Sequence, residues 1–384
     1  MTVRGVAAIL FWIPAGVLVY VHLLVPVLLR ALASFARRAP VPEGPLPGVT
    51  VVIAARNEEK HLRAKIENTL ALDYPPGKIE ILVISDASTD GTAAVVRSFT
   101  DPRVRLHELP ERGGKAQAQN VSAGLARHDI LFFTDATTMH PPETLRRLVR
   151  GLGDPSVGCV TGRVVFKKDE GAVSRGLENR FAFEMGSRSA LGDVYSLLGA
   201  QDCVYAVPRA RYVPVRPDLD GGFVGPILIL ERGLRTAYEP GAVALVDRPP
   251  PNLKSEFDRR SRIVLRGLRG TFSVARLLNP IGHPRLAWAL WSTRLLRWLT
   301  PVFMLITLTA NLGLLDRPLY RAALLLQAIF YLLAAVGAVR AARGQGAPAF
   351  VSLPFYFCLL AAAAAVGIAR LVRGEKGQVW TTVR

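Results

Sequence analysis

Runs rich in valine, isoleucine, leucine and phenylalanine recur through the middle of the chain, at residues 49–53, 79–84 and 130–133, and each ends abruptly in a polar cluster. Short apolar runs bounded in this way predict strands buried on both faces of a parallel sheet. Between them the spacing lengthens to a helical period over residues 58–72 and 115–126, with a short strand expected at 104–108. Pro141, Pro142 and Glu143 then open a helix over 144–152, proline standing near the first turn, where its missing N–H costs least. Strand-like and helix-like segments alternate from residue 48 to 246, the pattern of an α/β domain with a mostly parallel sheet.

Towards both ends the pattern changes to long apolar stretches. Residues 6–29 carry only His22 as a group able to hold charge, and at about 1.5 Å rise per residue they can cross a hydrocarbon core of roughly 30 Å. A signal peptide cut near Ala31-Leu32-Ala33 is the weaker reading, because the run exceeds the usual apolar core of about 7 to 15 residues. Further candidate spans lie at 299–315, interrupted by Pro301 and Asn311, at 319–339, with Arg321 and Gln327, and at 350–369, rich in alanine with Pro354 near its start. Four spans put both chain ends on one side of the membrane and the polar middle on the other. Arg30, Arg37 and Arg38, with Lys254, Arg259, Arg260, Arg262, Arg266 and Arg269, place that middle in the cytoplasm. Arg370, Arg373, Lys376 and Arg384 pull the tail to the same side, so either the larger central count prevails or one segment does not span. The expected organisation is an amino-terminal membrane helix (1–38), a proline-rich linker (39–48) with Pro40, Pro42, Pro45 and Pro47, a cytoplasmic α/β domain (49–250), amphipathic interfacial helices (251–292), carboxyl-terminal membrane helices (293–373) and a tail (374–384).

Charge changes this picture little. The 48 lysines and arginines against 30 acidic residues give a net charge of +18. In a soluble chain that would suggest nucleic acid, but here the cations gather beside membrane segments, where anionic lipid is the expected counter-charge and no nucleic acid partner is implied. Cys159, Cys203 and Cys358 are too few and too scattered for a disulfide framework or a zinc site, and fit a reducing compartment.

The polar clusters carry the chemistry. Ala54, Ala55, Arg56, Asn57, Glu58 and Glu59 follow the first run, Ser85-Asp86-Ala87-Ser88-Thr89-Asp90-Gly91-Thr92 the second, and Phe132-Phe133-Thr134-Asp135-Ala136-Thr137 closes the third; Gly113-Gly114-Lys115 with Asn120 lies between. Polar groups at the carboxyl ends of parallel strands stand at the crevice where open α/β sheets bind ligands, so the series reads as a nucleotide pocket. Asp86 can accept from a base N–H or a ribose hydroxyl, and equally reads as a turn aspartate or helix cap. Asp135 can hold Mg2+ or Mn2+ against a diphosphate. Lys115 is a phosphate contact or a solvated first-turn lysine, and His140 reads as a loop residue. Trp288, Trp291 and Trp298 suit a membrane-interface belt. Glu178, Asn179, Arg180 and Glu184 are spaced for pairing along a helix, Glu184 also being a candidate for acceptor contact.

In this order the clusters resemble the family 2 glycosyltransferases, particularly membrane-embedded ones similar to cellulose and hyaluronan synthases, over roughly residues 49–270. The resemblance implies a GT-A fold, a nucleotide-sugar donor that is usually a uridine diphosphate sugar, and inverting transfer to a lipid or glycan hydroxyl at the membrane. It implies nucleotide-sugar contacts from Ala54, Arg56, Glu58, Asp86, Lys115 and Asp135, with Glu58 and Asp86 at the nucleoside and Asp135 at the metal.

Three departures follow. The metal motif is Asp135-Ala136-Thr137, without a second carboxylate. The acidic pair that ends in the family's general base, about eleven residues before an Arg-Gly pair, is here Gly221-Gly222 ahead of Arg232-Gly233. Asp220 is the first candidate to replace it and Asp202 the second; the alternative is a catalytically impaired homologue that binds nucleotide or lipid as a scaffold for a partner enzyme. The Gln-x-x-Arg-Trp motif of processive synthases is replaced by Arg259-Arg260-Ser261-Arg262-Ile263, which argues against a polymerase. Leu253, Phe257, Val264, Leu268 and Phe272 fall near one helical face, with Arg259, Arg262, Arg266 and Arg269 opposite, as in an interfacial helix. Arg262 and Arg266 are candidates for the departing diphosphate, or bind lipid headgroups.

Overall fold

Among the described residues the apolar runs become the centre of an eight-stranded mixed sheet. The fold is a computed structural model describing residues 3–36, 44–166, 186, 189–246, 253–343 and 345–375. Arg37, Arg38, Pro40, Pro42, Glu178, Asn179, Arg180, Glu184, Lys376 and Arg384 therefore lie outside the described residues. The chain divides into two units, the sheet domain and a helical unit built from both ends of the sequence.

In the sheet domain, β1 (Val49–Ala55), β2 (Ile79–Ser85), β3 (Val104–Glu108) and β4 (Ile130–Asp135) are all parallel, in the order 3-2-1-4. β1 and β2 are buried at every position, which is why they read as unbroken apolar runs. Their one buried charge is satisfied: burial pushes the Glu80 carboxyl up, but Thr50 Oγ1, the Arg127 N–H and Arg105 together hold it below the usual range. The sheet then changes character. β5 (Thr138–Met139) pairs antiparallel with β8 (Arg235–Val246), β7 (Tyr205–Pro208) runs antiparallel between β4 and β6 (Val157–Phe166), and β6 and β8 are parallel with two register shifts. The expected helices form at Glu59–Leu70, Gly114–Leu125 and Thr144–Gly151, each within two residues of the sequence reading.

In the helical unit, residues 3–35 are one helical run of 33 residues, its π-helical turn Tyr20–Leu24 placing His22 Nε2 2.8 Å from Thr300 Oγ1. Trp288 Nε1 donates to Tyr20 Oη, which lies 2.8 Å from Ser292 Oγ, so Trp288 joins a half-buried polar cluster. Pro318–Ala342 and Ala349–Val372 are long and apolar enough to span. The expected span at 299–315 is not: Thr300–Leu312 has 13 residues, roughly 20 Å of helix, and reaches span length only together with Pro284–Trp298, from which it is bent by 62°.

The helix Leu253–Ser273 also departs from expectation. Val264 and Leu268 are buried, but Phe272 is 53% exposed, and Arg262, Arg266 and Arg269 are half-buried rather than ranged along an open face. The helix packs against Ala349–Val372, where Gly367 lets the two backbones approach, and Gly267 makes room for the Trp298 indole. Arg259 and Arg260 both bind the buried Glu256, at 2.8 and 2.9 Å.

Candidate active site

β1 is flanked by β2 on one side and β4 on the other, so the chain reverses its winding between β1 and β4 and opens a crevice at their carboxyl ends. Ala54 pairs in register with Asp135 at that edge. The loops after β1 and β2 are zipped together above it. Arg56 Nη1 donates to Asp86 O at 2.7 Å, Asn57 Oδ1 accepts from Thr89 N at 2.9 Å, and Thr92 Oγ1 accepts from Glu58 N at 2.8 Å. Asn57 and Ala87 both take left-handed backbone, φ 54° and 49°, a conformation that costs a non-glycine residue about 1 kcal/mol. Arg56 thus ties the two loops together at the crevice rim through one of its guanidinium nitrogens.

Asp86 is fully buried, and its Oδ1 accepts from the N–H groups of Gly113 at 2.7 Å and Gly114 at 3.1 Å. Gly114 has φ +81°, which suits a residue without a β-carbon. Asp86 therefore anchors the start of the Gly114–Leu125 helix across the crevice. Asp90, just before the Gly91 N-cap of the helix that follows β2, accepts from Thr92 N at 3.0 Å.

That anchor aims Lys115 into the crevice. Its ammonium bonds Asp135 Oδ1 and lies 3.3 Å from the Asp202 carbonyl oxygen. Burial opposes the charge, but the Asp135 and Asp202 carboxylates together hold the Lys115 ammonium above the usual lysine range. Burial likewise raises the Glu58 carboxyl, with His61 opposing and Asp135 and Asp90 adding to the shift. Glu58, Lys115, Asp135 and Asp202 thus share one electrostatic neighbourhood.

Beneath the Asp135 turn lies a buried network that the sequence reading passed over. Lys65, fully buried, donates to Thr134 Oγ1 at 3.0 Å and to Thr138 O at 2.6 Å. His140 Nε2 is 2.7 Å from Thr134 Oγ1 and Nδ1 is 3.0 Å from Val243 O. A carbonyl can only accept, so Nδ1 carries the proton and Nε2 receives the threonine hydroxyl. Burial, reinforced by Lys65, keeps the imidazole neutral, its pKa well below the ordinary value. His140 lies in the loop after β5, as expected, but is buried there and pins that loop. The available signal was spacing: Lys65 falls on the helical face of Leu62, Ile66 and Thr69, all buried.

Asp220 is the N-cap of the Gly221–Glu231 helix, its Oδ1 accepting from Phe223 N at 3.2 Å. Arg262 and Arg266 belong to the helical unit. For a divalent cation, the described residues hold no group of three or more histidine, cysteine or acidic side chains. Asp135, with about a third of its side chain exposed, supplies one carboxylate, which fits a cation shared with a diphosphate rather than one caged by protein.

A 3-2-1-4 parallel core with an aspartate closing β4 at the switch point is the frame of a nucleotide-binding α/β domain. Residues 50–201 match the family described as glycosyl transferase family 2, and this stretch is a domain of that family. An N-acetylglucosaminyltransferase of Rhizobium meliloti is 28% identical over 266 residues, 62% of this chain and 60% of that protein. A beta-monoglucosyldiacylglycerol synthase of Synechocystis is 30% identical over 123 residues, 31% of this chain and 26% of that protein. The chain thus spans less than two thirds of the length of these curated relatives. The solved mannosyltransferase PcManGT from Pyrobaculum calidifontis, in complex with GDP-Man and Mn2+, superposes with a TM-score of 0.68 at 21% identity, covering 97% of this chain and 100% of its own, a likeness of fold.

Proposed function

We propose that this chain is a membrane-bound inverting glycosyltransferase that moves a sugar from a nucleoside diphosphate sugar, in the first instance a uridine diphosphate sugar, to a lipid or short glycan at the cytoplasmic membrane face. The observation that carries the reading is the convergence of Lys115, Asp135 and Asp202 at the β4 end of the crevice. A diphosphate there meets the Lys115 ammonium, and Asp135 with the diphosphate oxygens would hold Mg2+ or Mn2+, which supplies charge neutralisation on the leaving group. PcManGT, solved with a nucleotide sugar and Mn2+, is compatible with that assignment. The departure from the Gln-x-x-Arg-Trp pattern favours single transfer over polymerisation, and a relative named for a diacylglycerol product supports a lipid acceptor.

The test is nucleoside diphosphate release by the detergent-purified protein over a panel of uridine and guanosine diphosphate sugars with a membrane lipid extract. Turnover is expected with one donor class, to fall at least 100-fold in Asp135→Ala, and to stop on chelation and return with Mn2+ or Mg2+. Protein that binds nucleotide and turns over none of the donors would instead favour the scaffold reading.

A further inference from the structure

The glycine pair at the head of the Gly221–Glu231 helix does not leave a gap. A β-carbon at position 222 would overlap Asp202 Oδ1 outright and lie 2.8 Å from its Cγ, while one at position 221 would lie 2.5 Å from Gln119 Oε1. Both side-chain volumes are thus filled by polar groups from other segments. The segment carrying Asp202 is tied to this helix turn, Ala200 N donating to Gly222 O at 2.7 Å. Asp220, the nearer carboxylate in sequence, is engaged as the helix cap, whereas the Asp202 backbone carbonyl lies 3.3 Å from the Lys115 ammonium and its Oδ1 is buried against Gly222.

We infer that Asp202 is the general base of this enzyme, its carboxylate standing in the volume that a side chain at position 222 would fill, so that residues 202 and 222 form a mutually exclusive pair. The inference rests on the transferase reading above. In the step, the acceptor O–H bond breaks and its proton passes to the Asp202 carboxylate. The acceptor oxygen bonds the anomeric carbon, and the carbon–oxygen bond to the diphosphate breaks with its electron pair leaving on the nucleoside diphosphate.

The pair makes a reciprocal prediction. Position 222 has no left-handed backbone, so an aspartate can be built there once Asp202 is gone. Asp202→Asn, which preserves shape, should lower kcat by about 10² to 10⁴ with donor KM unchanged, and should abolish the acidic limb of the kcat–pH profile. Gly222→Asp alone should lose activity through overlap with Asp202. The double variant Asp202→Gly/Gly222→Asp should recover at least about tenfold over either Asp202→Gly or Gly222→Asp. An Asp202→Asn enzyme within about threefold of the parent, or a double variant no better than the single variants, overturns the assignment while leaving the transferase reading intact. A parent protein that binds nucleotide but turns over no donor overturns both.

Discussion

At the residue scale, Lys65 shows how much of a site can be non-local. Burial lowers its pKa from the ordinary 10.5 to about 7, against the pull of Asp135 and Cys203. Between those two values the native chain binds fewer protons than the unfolded chain, so stability rises with pH across that window, by on the order of 1 kcal/mol per unit, and the penalty is greatest below it. Lys65→Met should flatten that rise, read as the change in unfolding midpoint between pH 7 and pH 10 in parent and variant. Asp135 and Lys115 were legible in the sequence because each follows a local signal, a strand end and a glycine turn. Lys65 and His140 were not, because their partners Thr134, Thr138 and Val243 come from separate segments. Asp86 was legible as a residue of the crevice, while its bonds to two N–H groups 27 and 28 residues away were not.

At the element scale, the parallel strands and their helices were readable because burial on both faces writes itself as continuous apolarity. The second half of the sheet was not, since β7 is only four residues long and β6 meets β8 through register shifts. The Gly221–Glu231 helix shows the difference between nearness in sequence and in space. Asp220 directly precedes the glycine pair yet caps the helix, so Asp220→Ala should cost about 1 kcal/mol of stability, measured by chemical or thermal unfolding. Its kcat should fall far less than that of Asp202→Asn. A larger loss in Asp220→Ala would return the base to the position that the sequence alone favoured.

At the scale of the whole molecule, hydropathy counted a span at 299–315 without seeing the bend between Pro284–Trp298 and Thr300–Leu312. If that bent pair does not cross, three spans remain, and a cytoplasmic middle puts Arg370 and Arg373 on the cytoplasmic side as well. The conflict in the positive-inside count then disappears, with Arg4, Arg340 and Arg343 the exceptions on the far side. A cysteine at position 373 should be shielded from a membrane-impermeant maleimide in intact cells and labelled after permeabilisation. Labelling in intact cells would require four crossings.

The overlap of Asp202 with the space above Gly222 also bears on ancestry. A lineage moving the carboxylate from one position to the other passes, in either order, through a form with two competing acids or with neither. The two substitutions are therefore expected to be inherited together, and a survey of relatives that scores only position 222 would class active members as dead.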